Sequence, residues 1–392
     1  MDQIEELLTR GVANIISNKE DLRKRLESGD KLNIYLGIDP TATKIHLGHA
    51  VPLRKLQKFA ELGHHVTFLI GDFTSLIGDT SDKDGERPVL TSEQIEENFK
   101  TYKTQAEKIL DFSKVEVRHN SEWLSKLNFA EIVQLCQHFS VGDFTSRELI
   151  RKRLDNKTRV GLHEFLYPVM QGYDSYFMDT DIQLGGTDQT FNMQAGRTLQ
   201  KDLRNKESFV MSNVFLEGTD GRKMSKSWGN GIWLEDSPED MYAKVMAVHD
   251  DFIANYYLLG TNAPLSEVDE VKNELAQGAH PMDIKKRLAK LIVTELHSTQ
   301  DAEQAAEHFQ KTVQDKEVGE IEDVTVTATT LSEDILVTLE LAASKSDAKR
   351  LFEQGGVSIN GGKVDMDAVL SDGDILKVGK RKTVRISIVS NS

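Results

Sequence analysis

Two clusters of polar residues in this sequence have the types and spacing needed to bind a triphosphate. The first is the segment DPTATKIHLGH at 39–49, which joins a predicted strand to a predicted helix. Backbone N–H groups and the positive end of the helix dipole therefore point toward a bound phosphate. His46 and His49 are three residues apart, hence on one helix face, and both can donate to phosphate oxygens. Gly48 leaves room for a flat base to approach the backbone closely.

The second cluster lies downstream in a glycine- and serine-rich loop, GTDGRKMSKSWGNG at 218–231. Its two lysines, Lys223 and Lys226, can converge on a leaving pyrophosphate and stabilise the negative charge that grows on it. Taken alone, either cluster would also suit solvated polar residues, at a helix start or in a loop.

The elements that position these residues alternate between apolar strands and amphipathic helices. Strands are predicted at 32–38, 66–70 and 115–120, and helices at 47–62 and 93–110. This alternation predicts an α/β fold with a Rossmann-like, doubly wound parallel sheet. In such a sheet the ligand crevice lies at the carboxyl ends of the strands.

The rest of the chain divides by pattern into further domains. We predict a catalytic domain at 1–232 and an α-helical domain at 233–318, where apolar residues recur at helical spacing. Residues 319–331 are acidic and threonine-rich and are predicted to be a linker. A small α+β domain is predicted at 332–392, with a helix at 344–354 and a final basic strand.

Composition restricts the class of protein. The 392 residues are 39% hydrophobic, and no apolar run reaches the length of about 18 residues that a membrane span needs. The amino terminus is acidic and resembles no secretory or transit signal, and the single cysteine, Cys136, fits a reducing compartment. We therefore expect a cytoplasmic protein. The net charge of −15 argues against indiscriminate binding of nucleic acid, although a local basic face is compatible with it.

Several segments together resemble one enzyme family. HLGH and KMSKS, in this order, resemble the two signatures of the class I aminoacyl-tRNA synthetases. Between them lie Tyr35, TSLIGD at 74–79, YPVMQGYD at 167–174 and QLGGTDQ at 183–189. These resemble, in order and spacing, the substrate-binding segments of the bacterial-type tyrosyl-tRNA synthetases, over about 33–232 and again in the carboxyl-terminal domain. The resemblance implies ATP-dependent activation of L-tyrosine to tyrosyl-adenylate, release of pyrophosphate, and transfer of tyrosine to the 3′ end of tRNA(Tyr).

The resemblance also implies a role for individual residues. The catalytic residues would be His46, His49, Lys223 and Lys226. The tyrosine-binding residues would be Asp174 and Tyr35 at the phenolic hydroxyl, Asp79, Tyr167 and Gln171 at the ammonium group, and Gln189 near the carboxylate. The ATP-binding residues would be Asp39, Thr41, His46, Gly48, His49, Gly186, Asp188, Lys223 and Lys226. A buried carboxylate facing a phenol agrees with this assignment, because a substrate without the hydroxyl would leave it desolvated and unpaired.

Two basic regions are implied to contact tRNA. The segment at 147–159 falls in an insertion at about 125–180 that lies, in the family, near the dimer contact and the acceptor stem. A solvated helix face is its alternative interpretation. The last domain resembles a small RNA-binding domain that is shared with a ribosomal small-subunit protein. The implied tRNA contacts are Arg147, Arg151, Arg153, Lys345, Lys349, Arg350 and Lys382, with Lys380, Arg381 and Arg385 on the same terminal face.

The family further implies a homodimer and an ATP substrate that carries Mg²⁺, with no protein metal site and no tightly bound cofactor. Some positions depart from its pattern: Leu36 replaces a common cysteine, and Thr190-Phe191 replace a common Trp-Gly pair. A tryptophanyl enzyme is the alternative within the class, but Tyr35 and the spacing of Tyr167, Gln171 and Asp174 favour tyrosine. A noncatalytic RNA-binding relative is the alternative outside it, and the intact HLGH and KMSKS segments argue against that.

Overall fold

The computed structural model describes residues 2–40, 43–78, 91–225, 228–314, 322–327, 330–342, 344–379 and 382–389. Packing divides the chain into two compact units, Met1–Glu307 and His308–Ser392.

The described part of the first unit is built on a six-stranded sheet. Its strands are β1 Val12–Ile16, β2 Asn33–Ile38, β3 His65–Ile70, β4 Val115–His119, β5 Ile182–Gly186 and β6 Phe209–Asn213. They lie in the order β1-β6-β5-β2-β3-β4, with β1 antiparallel to β6 and all other neighbours parallel. The predicted mixed α/β fold with a mainly parallel sheet is therefore confirmed.

The order in which strands are added to the sheet reverses between β2 and β5. After β2 the chain adds β3 and β4 on one side, whereas β5 and β6 are added on the other. Because β2 and β5 are parallel neighbours, their carboxyl ends at Ile38 and Gly186 border the same crevice. In open parallel sheets this is where ligands bind.

Helices alternate with the strands of this sheet, and further helices follow its last strand in the chain. They are α1 Gln3–Thr9, α2 Lys19–Glu27, α3 Leu47–Glu61, α4 Ser92–Ala106, α5 Ser121–Leu124, α6 Phe129–Cys136, α7 Val141–Thr145, α8 Glu148–Asp155, α9 Leu162–Phe177, α10 Thr190–Arg204, α11 Pro238–Met246, α12 Ile253–Gly260, α13 Leu265–Ala276, α14 Pro281–Leu296 and α15 Thr299–Phe309. Within the described residues, none of the helices is long and apolar enough to cross a membrane.

Helices α9 and α10 pack against each other unusually closely. A Cβ atom built on Gly172 would lie 3.1 Å from the backbone of Ala195, and one on Gly196 would lie 2.7 Å from the side chain of Ser175. Side chains at these two positions would force the helices apart. Because α10 packs on β5 and β6, its close contact with α9 fixes the position of α9 relative to the sheet.

The second unit has its own sheet and core. Its described elements are β7 Glu322–Val326, α16 Glu333–Thr338, α17 Lys345–Glu353, β8 Val357–Ile359, β9 Gly362–Lys363, β10 Ile375–Val378 and β11 Lys382–Ile388. The strand order is β7-β11-β10-β8-β9, with β7 parallel to β11 and the other pairs antiparallel. The buried side chains of Leu331, Leu336, Ala348, Leu376 and Ile386 belong to one apolar core.

The prediction of a linker at 319–331 is wrong for residues 322–326. Residues 322–326 form β7 and pair in register with β11, from Glu322 opposite Val384 to Val326 opposite Ile388. Val324 and Val326 pack against the core of the second unit, while Asp323 and Thr325 are exposed. The segment thus has the alternation of a half-buried strand, which the acidic and threonine-rich composition concealed.

Arg153 also requires a correction, because the structure buries it. Its Nη1 and Nη2 donate to Glu164 Oε2 and Oε1 at 2.6 and 3.0 Å, and Nη2 also donates to the carbonyl of Arg159. Arg153 and Glu164 are each only 3% exposed. A guanidinium in this position joins α8 to the start of α9 and is not available to a tRNA phosphate.

Removing the carboxylate of this pair should destabilise the protein strongly. Glu164→Ala leaves a buried guanidinium without its counter-charge, so we expect the free energy of unfolding to fall by about 3–5 kcal/mol. The measurement is urea denaturation. The matched control is Asp269→Ala, which breaks an exposed pair with Lys272 and should cost less than about 1 kcal/mol. Equal losses for the two variants would contradict a structural role for the buried pair.

Candidate active site

A buried carboxylate forms the floor of the crevice. Asp174, on α9, is 2% exposed. Its Oδ1 accepts a hydrogen bond from Trp123 Nε1 at 2.7 Å, and its Oδ2 accepts one from Asn120 Nδ2 at 3.1 Å. Burial raises the pKa of Asp174 to about 8, with smaller contributions from the carboxylates of Asp39 and Asp72, whereas the two donors act in the opposite direction. The arrangement is suited to accept a further hydrogen bond from a substrate hydroxyl.

Tyr35, on β2, lies beside this carboxylate. Its hydroxyl donates to Gln183 Oε1 at 3.2 Å, and the Gln171 side chain is hydrogen-bonded to it. Burial, followed by the charge of Asp174, raises the pKa of Tyr35 well above its usual value. The phenol therefore stays protonated. The structure thus brings together Tyr35, Gln171 and Asp174, three of the residues predicted to bind tyrosine.

A second carboxylate lies at the carboxyl end of β2. Asp39 Oδ2 accepts from the hydroxyl of Tyr167 at 2.8 Å, and Asp39 Oδ1 accepts from Thr74 Oγ1 at 2.8 Å. Thr74 Oγ1 in turn accepts from Asn120 Nδ2 at 3.1 Å, and the same Nδ2 donates to Asp174. This network links the end of β2 to the buried floor, with Tyr167 on the helix that also carries Asp174.

The two histidines lie where helix α3 starts. His46 is the residue before the first turn, and the rings of His46 and His49 stack with centroids 3.7 Å apart. Burial, together with the charges of His49 and Lys223, lowers the pKa of His46 to about 2. His46 is therefore a neutral imidazole at physiological pH, able to donate one N–H to a phosphate oxygen but not to supply positive charge. A Cβ on Gly48 would lie 3.0 Å from the His46 ring, so glycine allows the stacked arrangement.

Lys223 supplies the positive charge close to these histidines. Its Nζ lies 5.3 Å from the ring centroid of Phe215, and its charge lowers the pKa of His46. Phe215 also borders Gly186, where an added Cβ would lie 3.2 Å from its ring and 2.6 Å from Asp188 Oδ1. The predicted nucleotide-binding residues from β5, α3 and the KMSKS loop therefore converge at one place.

Gln189 follows in the short helical turn Thr187–Gln189, at the start of α10, and its Oε1 accepts from Asn192 Nδ2 at 3.2 Å. Thr41, Asp79 and Lys226, which were also predicted as site residues, lie outside the described residues.

The residues predicted to contact tRNA occupy different environments. Arg147 is half-buried, with its guanidinium 4.8 Å from the Phe191 ring centroid, and Arg151 is exposed. In the second unit the predicted contacts in the described region are all exposed, namely Lys345, Lys349, Arg350, Lys382 and Arg385, while Lys380 and Arg381 lie outside the described residues. Three of these cations already pair with acidic neighbours, Lys345 with Asp334 and Arg350 with Asp347 at 2.6 Å each, and Arg385 with Asp323 at 3.5 Å.

Sequence reasoning missed the residues that orient the predicted ones. Asn120 and Trp123 hold Asp174, Gln183 holds Tyr35, and Thr74 connects Asp39 to Asn120. Asn120 follows β4 directly, so its place at the carboxyl edge of a predicted parallel strand was the available signal. Gln183 lies in the segment QLGGTDQ, which was singled out without a role for this residue, and Trp123 carried no signal because its partner is distant in the chain.

Comparisons with known proteins identify the family of this chain. Residues 27–314 match the family model described as tRNA synthetases class I (W and Y). A tyrosine–tRNA ligase of Thermotoga maritima is 42% identical over 388 residues, which cover 97% of this chain and 96% of that protein. Tyrosine–tRNA ligase 2 of Clostridium acetobutylicum is 41% identical, with 99% of each chain covered.

Solved structures show the same fold. A tyrosyl-tRNA synthetase of Archaeoglobus fulgidus complexed with L-tyrosine matches with a TM-score of 0.61 and 24% identity, covering 78% of this chain and all of that one. A C-terminally truncated mitochondrial tyrosyl-tRNA synthetase of Coccidioides posadasii gives 0.65 and 23%, covering 79% and 92%. At these identities the likeness concerns the fold alone. The family match and the nearly full-length relatives show that this chain belongs to the tyrosine–tRNA ligase family of class I aminoacyl-tRNA synthetases.

Proposed function

We propose that this chain activates L-tyrosine with ATP and transfers it to the 3′ end of tRNA(Tyr). The observation that carries the proposal is the Asp174 carboxylate, which is buried beside Tyr35 and held by Trp123 and Asn120. A tyrosine hydroxyl placed here would donate to Asp174 and contact the Tyr35 hydroxyl. Phenylalanine would bury the same carboxylate without a partner, at a cost that disfavours its binding.

The remaining groups of the substrate are assigned to residues around this floor. Its ammonium group would meet Tyr167 and Gln171, with Asp79 as counter-charge, and its carboxylate would lie near Gln189. The Asp39–Tyr167–Thr74 network supports these positions, because it fixes the end of β2 against α9. Tyrosine would then point its carboxylate toward the start of α3.

The first reaction needs little covalent help from the protein. A carboxylate oxygen of tyrosine attacks the α-phosphorus of ATP, a P–O bond forms, and the bond to pyrophosphate breaks. The ATP would lie across Asp39, Thr41, Gly48, Gly186 and Asp188. The charge that grows on the pyrophosphate would be stabilised by N–H groups of His46 and His49 and by the ammonium groups of Lys223 and Lys226. Mg²⁺ would enter with the ATP, bound chiefly by phosphate oxygens.

In the second reaction a terminal ribose hydroxyl of tRNA attacks the carbonyl carbon of tyrosyl-adenylate, and AMP leaves. We assign contacts to tRNA phosphates to Arg147 and Arg151 in the first unit. In the second unit we assign them to Lys345, Lys349, Arg350 and Lys382, on a domain of the type shared with a ribosomal small-subunit protein. The exposure of these side chains, apart from the half-buried Arg147, supports the assignment.

We further propose a homodimer in the cytoplasm, built on a Rossmann-like, doubly wound catalytic domain. The segment at 125–180 supports dimerisation because it exposes several large apolar side chains, which would be covered by a second copy. They are Phe129, Val133, Val141, Leu154, Leu162 and Phe177. The helical domain at 233–318 and the terminal RNA-binding domain complete the proposed organisation.

The tyrosine pocket is tested by substitution of Asp174. Asp174→Ala should lower kcat/KM for tyrosine activation by the equivalent of about 2–4 kcal/mol, because a desolvated hydrogen bond to a charged group is lost. Asp174→Asn should be less damaging, since an amide oxygen can still accept from the hydroxyl. The measurement is amino-acid-dependent exchange of pyrophosphate into ATP.

The same assay, carried out with each of the twenty amino acids, distinguishes tyrosine from other possible substrates. The unaltered protein should respond to tyrosine, whereas a response to tryptophan instead would assign the pocket to an indole. Asp174→Ala should also lower the ratio of kcat/KM for tyrosine to kcat/KM for phenylalanine. Normal kcat/KM for tyrosine in that variant would remove Asp174 from the pocket.

The lysines of the KMSKS loop should act on the rate and not on tyrosine binding. Lys223→Ala and Lys226→Ala should each slow adenylate formation by about 10²-fold or more, as expected for a donor that stabilises charge in the transition state. The Kd for tyrosine should stay nearly unchanged. Lys201→Ala, an exposed lysine on α10, is the matched control and should leave both quantities unaltered. Weaker tyrosine binding with a normal activation rate would contradict the proposed role.

Truncation after Glu320 should separate the two reactions. The cut falls before β7, so it removes the whole second-unit sheet and leaves the residues assigned to tyrosine and ATP. Pyrophosphate exchange should survive. Charging of tRNA should fall steeply, and the fall should deepen with salt, because the remaining phosphate contacts are screened. Full charging efficiency in moderate salt would show that the terminal domain is dispensable.

A further inference from the structure

A cavity of about 330 Å³ lies in the first unit, away from the proposed tyrosine and ATP residues. It is bordered by α1, the middle of α3, and the end of α12 with the turn that follows it. Apolar side chains form much of its lining, among them Leu7, Val51, Leu258 and Leu259. Its rim includes the exposed side chains of Lys58, Glu61 and Asn262, through which a small molecule can enter.

Lys55 contributes a buried ammonium group to this cavity. The residue is 6% exposed, and its Nζ donates to the carbonyls of Leu7 and Arg10, at 2.7 Å each. When charged, the group has three N–H donors, so these two bonds leave one unused, whereas both donors of the neutral amine are satisfied. No carboxylate in the described part of the chain forms an ion pair with Lys55, which is costly for a buried charge. Burial, and then the charge of Arg10, lowers the pKa of Lys55 to about 7, with a smaller opposing effect of Glu6.

Arg54, the preceding residue on α3, supplies a second unused donor. It is 9% exposed. Its Nη1 donates to Glu295 Oε2 at 2.6 Å and its Nη2 to the carbonyl of Gly260 at 3.0 Å. Its Nε is buried and has no acceptor among the described residues. Two adjacent buried cations thus line one cavity, and each has an N–H without an acceptor.

The charges around the cavity define the ligand. Arg10 pairs with Glu6 at 3.0 Å, and Lys58 pairs with Glu61 at 2.9 Å. Arg54 pairs with Glu295, so Lys55 is the one lining cation in the described region without a counter-charge. A ligand with a single negative charge would compensate it. A polyphosphate would bring more negative charge than Lys55 can compensate, because the other lining cations named here are already paired.

We propose that this cavity binds a monocarboxylate with a short apolar body. The carboxylate pairs with Lys55 and accepts a hydrogen bond from Arg54 Nε, while the apolar body contacts Leu7, Val51 and Leu259. The volume suits a body of a few carbon atoms, near the lower end of the range for small-molecule sites. This site is separate from tyrosine activation and does not depend on the proposed function.

The proposal is tested by calorimetric titration of the full-length protein with hexanoate, and with hexanamide as the neutral control of equal shape. Hexanoate should bind saturably and at least about tenfold more tightly than hexanamide, since one buried charge pair is gained. Lys55→Met keeps the apolar stem and should weaken hexanoate binding by about tenfold or more. Lys58→Met removes a rim lysine and should change it by less than about twofold.

A second variant acts without touching the charged groups. Val51→Phe fills the apolar half of the cavity and should abolish hexanoate binding, and thermal melting shows whether each variant is folded. Absence of saturable binding to the unaltered protein, or equal binding of hexanoate and hexanamide, would overturn the proposal. It would also be overturned by folded Lys55→Met and Val51→Phe variants that bind hexanoate normally. Should either variant fail to fold, the comparison of hexanoate with hexanamide decides.

Discussion

A carboxylate removed from water must be compensated by hydrogen bonds, and Asp174 receives them from Trp123 and Asn120. These bonds do not fully offset the cost of burial, because the pKa of Asp174 is still raised to about 8. At neutral pH the site therefore holds this group largely as the neutral acid, and a hydrogen-bond donor such as a substrate hydroxyl would favour its charged form. The rest of the crevice can be understood as the structure needed to hold α9, β2 and the end of β4 around this group.

The two sides of the crevice differ in the charges that they present. The side proposed to bind tyrosine uses a buried carboxylate with neutral donors around it. On the side proposed to bind the nucleotide, His46 provides an N–H group without charge, because its pKa is lowered to about 2. Positive charge comes instead from Lys223, on a separate loop. The proposed selectivity and the proposed charge stabilisation are thus assigned to different elements, which can be altered independently.

Sequence patterns predicted the strands and helices, which depend on local periodicity. They missed the site residues whose roles depend on contacts with distant parts of the chain. The strands and helices from β2 to β4 were predicted to within a few residues, because apolar periodicity is strong there. Asn120, Trp123 and Gln183 were missed as parts of the site because their roles depend on partners many residues away. Arg153 was misassigned since a basic run was interpreted as one exposed face. Arg153 lies three residues after the buried Ile150, which places both on the buried side of α8.

The ion pairs of the second unit have a consequence for the RNA binding proposed for it. Three of its exposed cations already have acidic partners: Lys345 pairs with Asp334, Arg350 with Asp347, and Arg385 with Asp323 at 3.5 Å. A phosphate that binds to one of these three must displace a carboxylate from its cation, so that contact gains less than the attraction of an unpaired lysine for phosphate. In a chain of net charge −15, the sum of such contacts is small for an arbitrary RNA. Useful affinity then requires many contacts to form at once, which only an RNA of complementary shape can provide.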